Sequence, residues 1–377
     1  MQLLDSLQHR LLVDAPQNAL NAIQDIARNI QFQSNFSICH PAYKPLELPE
    51  EVVTRFQNVP LELQTKYLSL QLRSFIYGIY YNGSLRNTLA LGESSSNLLL
   101  QQNLENNTLL GVDWEFYQRL HESNTGAGYF DPGWQVLKRE IDGSLVVTKG
   151  GLKLHINRDR HLQCPEQSAN IGDIVAIRLP KNLIQNGFYV AVGNGGTDSN
   201  RQHSKHSQLV RVYFNLAPEG APPVMKSLTE QLNAAAIVFS FKVLYNPADY
   251  TRFDSGVLYF ERCHYELVHQ VLHTVYAQQR CHFRREIPLF TKFLAPGLGL
   301  AEEPNHKFSE QESFGMHRCQ IISNGLLAAQ RLGDESADTR INLILEEFAA
   351  LGVKLANPYL NANSEDIYTP IQFREDN

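Results

Sequence analysis

The feature that most restricts how this chain can fold is a change of hydrophobic period. Between Trp134 and Phe260 apolar residues recur at alternate positions, whereas on either side they follow helical spacing. Alternation makes strands with one face to bury, and helices must supply the cover. The strand-like segments are VLKREI, GSLVVTK, GLKLHIN, DIVAIRLP, GFYVAV, LVRVYFNL, IVFSFKVL and GVLYFER, separated by Gly, Pro, Asn and Asp. The expectation is an α+β fold: a helical amino-terminal region over residues 1–123, acting as a docking module or as cover, then residues 124–377 as a mixed or antiparallel β-sheet domain with flanking helices.

Within that block, Arg211 to Phe260 reads as strand, helix, strand, turn, strand. In RVYFNL the residues Arg211, Tyr213 and Asn215 share one face, and Val212, Phe214 and Leu216 the other. In IVFSFKVL, Ser240 and Lys242 stand opposite Phe239, Phe241 and Val243. GLKLHIN sets Lys153 and His155 against Leu152, Leu154 and Ile156, and DIVAIRLPKN contributes Arg178, then Lys181 after the Pro180 break. A sheet face carrying Arg, Tyr, Lys and His needs a partner, and an anionic ligand suits it.

Before this block, residues 19–30 and 61–80 carry helical patterns, the second ended by Tyr80-Tyr81-Asn82-Gly83, and Trp114 to His121 predicts a further helix. The amino terminus, MQLLDSLQHRL, is amphipathic rather than a signal peptide, and residues 98–107 are low in complexity. NTGAGYFDPGW lacks the spacing of a phosphate loop or a dinucleotide fingerprint, so it marks a domain entrance. Residues 193–208 form a long polar insertion, either a lid or a surface loop.

After Phe260 the pattern is helical again. His264, His269 and His273 lie on a helix without the further ligand that a zinc motif requires. Residues 287–304 read as an apolar connection, Ser309 with Glu312 as a capping box for the next helix, and NANSEDIYTP as a surface tail.

Composition enters as a set of exclusions. A net charge of −6 argues against a general nucleic-acid binder, so any basic site is local. Five scattered cysteines without a Cys-x-x-Cys pair fit reduced thiols and a cytoplasmic setting. No apolar run is long enough to span a bilayer, so no membrane partner is expected.

Taken in order, GYFDPGW, GLKLHI, RLPKNL, GFYVAVG, RVYFNLAPEGA, FSFKVL, RFDSGVLYF, PGLGLAEEP and ESFGMHRC resemble the HopA family, named for a type III secretion effector of Pseudomonas. Related domains occur beside kinases in clusters that make class V lanthipeptides and thioamitides, and they are distantly similar to phosphothreonine lyases. The resemblance implies a phosphoserine or phosphothreonine lyase acting on a phosphorylated precursor peptide to leave dehydroalanine or dehydrobutyrine. A separate kinase would supply the phosphate, with no cofactor and no metal. The alternatives are a non-catalytic phosphopeptide-binding protein and a secreted effector acting on host phosphoproteins.

Phe241-Lys242-Val243 resembles the lyases' base strand. Their Lys-x-His strand is matched in letters by Lys153-Leu154-His155, and in context by Arg211-Val212-Tyr213; both alignments stay open. Elimination needs a base for the α-proton, cations for the phosphate and an acid for the leaving oxygen. A lysine is a base only when neutral, so its pKa must fall from about 10.4 toward roughly 7–8. The assignment implied is Lys242 as base and His155 as acid, with Arg211, Lys153, Lys181 and Arg252 holding phosphate. Tyr213 would orient phosphate or the substrate carbonyl, and Asn215, on the same face, would be a further phosphate or substrate contact. His317 and Arg318 are second candidates for the acid and a phosphate contact.

Overall fold

The computed structural model describes residues 15–33, 35–91, 112–196 and 208–372. The amphipathic amino terminus, the low-complexity stretch and most of the 193–208 insertion lie outside the described residues.

The α+β expectation is correct. The amino-terminal layer contains helices α1 (Gln17–Asn29), α2 (Glu50–Gln57), α3 (Leu61–Ile76) and α4 (Trp114–Ser123), with a small sheet of β1 (Gln31–Phe32), β2 (Ile38–His40) and β3 (Tyr43–Leu46). Helix α3 does not stop at Ile76 but widens into a π-helical turn, Tyr77–Tyr81. A four-stranded antiparallel sheet follows: β4 (Tyr129–Arg139), β5 (Leu145–Lys149), β6 (Leu152–Ile156) and β7 (Ile174–Leu179). The GYFDPGW segment, read as an entrance turn, is the first half of β4 and bulges between Asp131 and Trp134. Pro132 and Gly133 in one strand conceal the alternation there.

The main sheet has seven strands in the order β13, β14, β10, β12, β11, β9, β8. These are β8 (Asn182–Gln185), β9 (Phe188–Val192), β10 (Leu209–Phe214), β11 (Phe239–Leu244), β12 (Gly256–Glu261), β13 (Lys292–Ala295) and β14 (Leu298–Glu302), with every pairing antiparallel. The apolar connection at residues 287–304 is therefore a hairpin at the sheet's edge. Gly297 turns it with φ +75°, where an added Cβ would lie 2.1 Å from the Arg284 carbonyl oxygen.

Helices α5 (Ala221–Ala234) and α6 (Tyr265–Gln279) follow β10 and β12, with Val224, Leu228, Val268 and Leu272 buried. Helix α7 (Phe314–Leu332) packs on α3 and on α8 (Ala337–Ala350), and α8 packs on α1. One continuous core joins both sides of residue 123, from Ile23, Leu72 and Phe75 to Val212, Phe214 and Phe241. The four-stranded sheet keeps a second, separate core around Trp134, Val147 and Ile177.

Two local expectations need correction. Helix α7 begins at Phe314, capped by Ser313 rather than Ser309, and the Glu312 carboxylate instead accepts the Phe308 backbone N–H at 2.9 Å. A nearer serine took the cap, and the motif letters do not separate the two. The NANSEDIYTP tail is also more than surface: Tyr368 is buried and donates to Glu302 at 2.9 Å.

Candidate functional site

The site grows from the register of the main sheet. Lys242 on β11 stands opposite Val190 on β9 and Val257 on β12, and Val257 stands opposite Tyr213 on β10. Lys242 and Tyr213 thus occupy one row, two strands apart. The next row sets Ser240, Tyr259 and Arg211 side by side. Cross-strand neighbours point to the same side, so Lys242, Tyr259, Arg211 and Tyr213 share a face.

Lys242 is half-buried, and its Nζ lies 4.7 Å from the centroid of the Phe188 ring and 5.3 Å from that of Tyr259. Among the described residues it forms no hydrogen bond and no ion pair. Two ring faces attract a cation without neutralising it or occupying its hydrogen-bonding capacity. The Arg211 guanidinium lies 5.0 Å from the Tyr259 ring and pairs with Glu303, which also holds Lys307. Burial opposes the charge on Arg211, yet Tyr259, Tyr213 and Glu303 hold its pKa well above the ordinary value. The Arg252 guanidinium lies on the other ring, 5.7 Å from the Phe188 centroid. Three cations therefore converge over two aromatic rings.

Arg252 is fixed by Asp254, through Nε at 2.5 Å and Nη2 at 2.8 Å. Burial favours the neutral acid of Asp254, but Arg252 outweighs it and keeps the pKa below the usual carboxylate range. Nearby, the hydroxyls of Tyr81 and Tyr213 are buried, and among the described residues neither makes a hydrogen bond of ordinary geometry. Burial, reinforced by Tyr213, raises the Tyr81 pKa well above normal, so it remains a neutral phenol.

The remaining expected site residues lie elsewhere. Lys153 and His155 are exposed on β6, in the sheet with its own core; the His155 Nε2 meets the Ser144 hydroxyl at 2.6 Å. No contact joins them to Lys242 among the described residues, so the expected cluster is divided between two sheets. Lys181 donates to the Asn124 carbonyl at 2.7 Å and pins the turn after α4. Asn215 is buried and donates to the Glu286 carbonyl at 2.9 Å, tying the end of β10 to the segment before β13.

His317 and Arg318 are both buried. Burial, then the adjacent Arg318 charge, lowers the His317 pKa to about 3; its Nδ1 accepts from Arg318 Nη1 at 2.8 Å. A neutral ring in that role has no acidic imidazolium to offer at neutral pH. Arg318 donates to the carbonyls of Pro358 and Leu360 at 2.8 and 3.0 Å, clamping the carboxy-terminal segment.

Sequence reasoning missed Phe188, Tyr259, Asp254 and Tyr77. Tyr259 had a signal, since GVLYFE alternates like its neighbours; Asp254 and Tyr77 lie in a loop and a helix end, where no period points at the sheet.

Among the described residues, Glu261, Cys263 and His264 alone bring three possible metal-binding atoms within 4.8 Å of one another. They stand on the turn that begins α6, where the helix dipole opposes a cation. His269 and His273 contact the carbonyls of Thr369 and Gln372, each at 3.0 Å, and so hold the tail.

Residues 179–360 match the model of the HopA1 effector protein family. Two solved structures are similar to the chain. One is an effector protein from Pseudomonas syringae pv. tomato strain DC3000, 18% identical over 66% of this chain and 81% of its own, with a TM-score of 0.39. The other is an effector protein from Pseudomonas syringae pv. syringae strain 61, 14% identical over 84% of this chain and 99% of its own, with a TM-score of 0.41. No curated protein sequence matches the chain. No helix among the described residues is long and apolar enough to cross a membrane.

Proposed function

We propose, from the HopA1 effector family domain at residues 179–360 and the cationic face it carries, that this protein eliminates phosphate from phosphoserine or phosphothreonine in a peptide. The observation that carries the reading is Lys242: a half-buried amine with no anion and no hydrogen bond among the described residues, flanked by two arginines. A half-buried structural lysine is normally paired with a carboxylate.

In the proposed reaction Lys242 takes the proton from Cα. The Cα–H electron pair becomes the Cα=Cβ bond, the Cβ–O bond breaks, and its pair leaves on phosphate. Arg252 and Arg211 face the charge that accumulates on the phosphate oxygens, and fixed cations stabilise it more than they stabilise the substrate. Arg211 would have to exchange Glu303 for the substrate's anion. Because His155 lies on the other sheet and His317 is neutral, the proton for the leaving oxygen has another source. We assign it to the Tyr259 phenol, whose ring both Lys242 and Arg211 approach. The substrate would be a precursor peptide phosphorylated by a separate kinase in the cytoplasm.

The test is mass spectrometry of a phosphopeptide incubated with the protein and a thiol trap. The lyase reading expects loss of phosphoric acid and a thiol adduct. Recovery of the plain hydroxyl peptide means a phosphatase. Tight binding without turnover favours a phosphopeptide-binding protein, a role that the same cations would serve.

A further inference from the structure

Asp254 is buried, and all the acceptor capacity of its carboxylate is in use. Oδ1 accepts from Arg252 Nε at 2.5 Å and from Asn82 Nδ2 at 3.2 Å; Oδ2 accepts from Arg252 Nη2 at 2.8 Å and from the Tyr77 hydroxyl at 3.2 Å. A carboxylate offers about four such sites. It has none left for substrate, and a group so saturated holds others in place.

Two of its partners come from the amino-terminal layer, outside the family-matched stretch. Tyr77 opens the π-helical turn and Asn82 follows it, with the Asn82 N–H bonded to the Tyr77 carbonyl at 3.0 Å. In a regular α-helix, residues five apart diverge by about 140°. The wider turn brings both side chains onto one carboxylate, in keeping with the frequency of such turns at functional sites. The same segment is fastened from the other side: the Phe253 N–H donates to the Asn82 carbonyl at 2.8 Å, and Tyr77 stacks on Tyr81 with centroids 4.9 Å apart.

We propose that Asp254 is a positioning residue for the phosphate site, and that Tyr77 and Asn82 complete it by fixing the carboxylate that aims Arg252. The amino-terminal layer is then part of the catalytic centre rather than cover alone. This rests on the reading of the sheet face around Lys242 as a phosphate-elimination site. Arg252 grips Asp254 through one edge of its fork, and among the described residues its Nη1 makes no hydrogen bond. With the fork held, Nη1 is presented to an anion at small entropic cost.

The experiment uses the full chain and a phosphopeptide, with Asp254→Asn and Tyr77→Phe as variants and Asp366→Asn as control. Asp366 forms an ion pair with Lys292 at 2.5 Å and takes no part in the site. Asp254→Asn is expected to raise KM for the phosphopeptide about tenfold, with kcat falling less, and to weaken inhibition by inorganic phosphate in parallel. Tyr77→Phe, which removes one hydroxyl, should shift both constants the same way by about threefold. The unphosphorylated peptide should bind all forms alike, and the control should match wild type. Unchanged KM and phosphate inhibition in both variants overturn the positioning role and leave the lyase reading standing. If Asp254→Asn does not fold, Tyr77→Phe decides alone. Wild-type protein that leaves the phosphopeptide unchanged overturns both proposals.

Discussion

At the scale of the residue, the proposed reaction rests on Lys242 and Tyr259, and His317 carries a stability signature. Lys242→Ala is expected to lower kcat about a hundredfold to ten-thousandfold while phosphopeptide binding persists. Lys242→Arg should not rescue turnover, because it restores the charge without a base. Single-turnover mass spectrometry beside a binding titration separates the two effects. Tyr259→Phe should lower kcat as well, by less, because the leaving oxygen loses its proton donor.

His317 makes its prediction through linkage. Its folded pKa, about 3, lies below the unfolded value near 6.5. Above pH 6.5 neither state is protonated and the residue costs nothing. As pH falls below that value only the unfolded state gains a proton, so stability declines down to pH 3. Between pH 6.5 and 5, urea melts of wild type should lose up to about 2 kcal/mol more than those of His317→Gln, which keeps an acceptor for Arg318 but cannot titrate. Equal losses would mean that the ring is not held neutral.

At the scale of the element, the decisive piece is the junction of α3, its π turn and the start of α7. Gly315 lies against Tyr81: a Cβ there would come 2.3 Å from Tyr81 Cε1. Gly315→Ala must push the phenol, and Tyr77 stacks on that phenol. Overpacking of this kind costs about 1–3 kcal/mol, to be read as a lowered thermal midpoint. If the junction also aims Arg252, KM for phosphopeptide rises along with it. Helix α3 was legible from the spacing of Leu68, Leu72 and Phe75, which are all buried. Its π-helical end was not, because YYNG looks like an ordinary stop, and only the packing of Tyr81 under α7 shows why the chain widens there.

For the whole molecule, the shared core makes a claim about autonomy. Leu72, Phe75 and Ile76 of α3 have 0% exposure and belong to the core that contains Val212 and Phe214. Residues 179–360 expressed alone would leave that surface bare and are expected to aggregate or bind a hydrophobic dye. Phe75→Ala in the full chain should cost about 3–5 kcal/mol, measured by denaturant unfolding that reports on the sheet. A stretch that folded alone, or a change without effect on the sheet, would show two independent units.

The sequence by itself determined most strands between residues 134 and 260, most of the helices and the α+β class, because hydrophobic period is a local property that each segment carries whatever its neighbours do; the edge hairpin β13–β14 and the short strands β1–β3 and β8 escaped it. It also picked out Lys242, Arg211 and Arg252, which stand on or between strands of one sheet. It could not tell which of several polar strand faces would meet. Lys153 and His155 share the alternation of Arg211 and Tyr213, yet they belong to another sheet; in β10 even the alternation vanishes from burial, since Tyr81 of the π turn and Phe314 of α7 pack against Tyr213. Strand order, and the reach of Tyr77 and Asn82 from one layer to Asp254 in another, were decided only when distant segments packed. Those contacts join residues more than 170 positions apart, and no spacing along the chain encodes them.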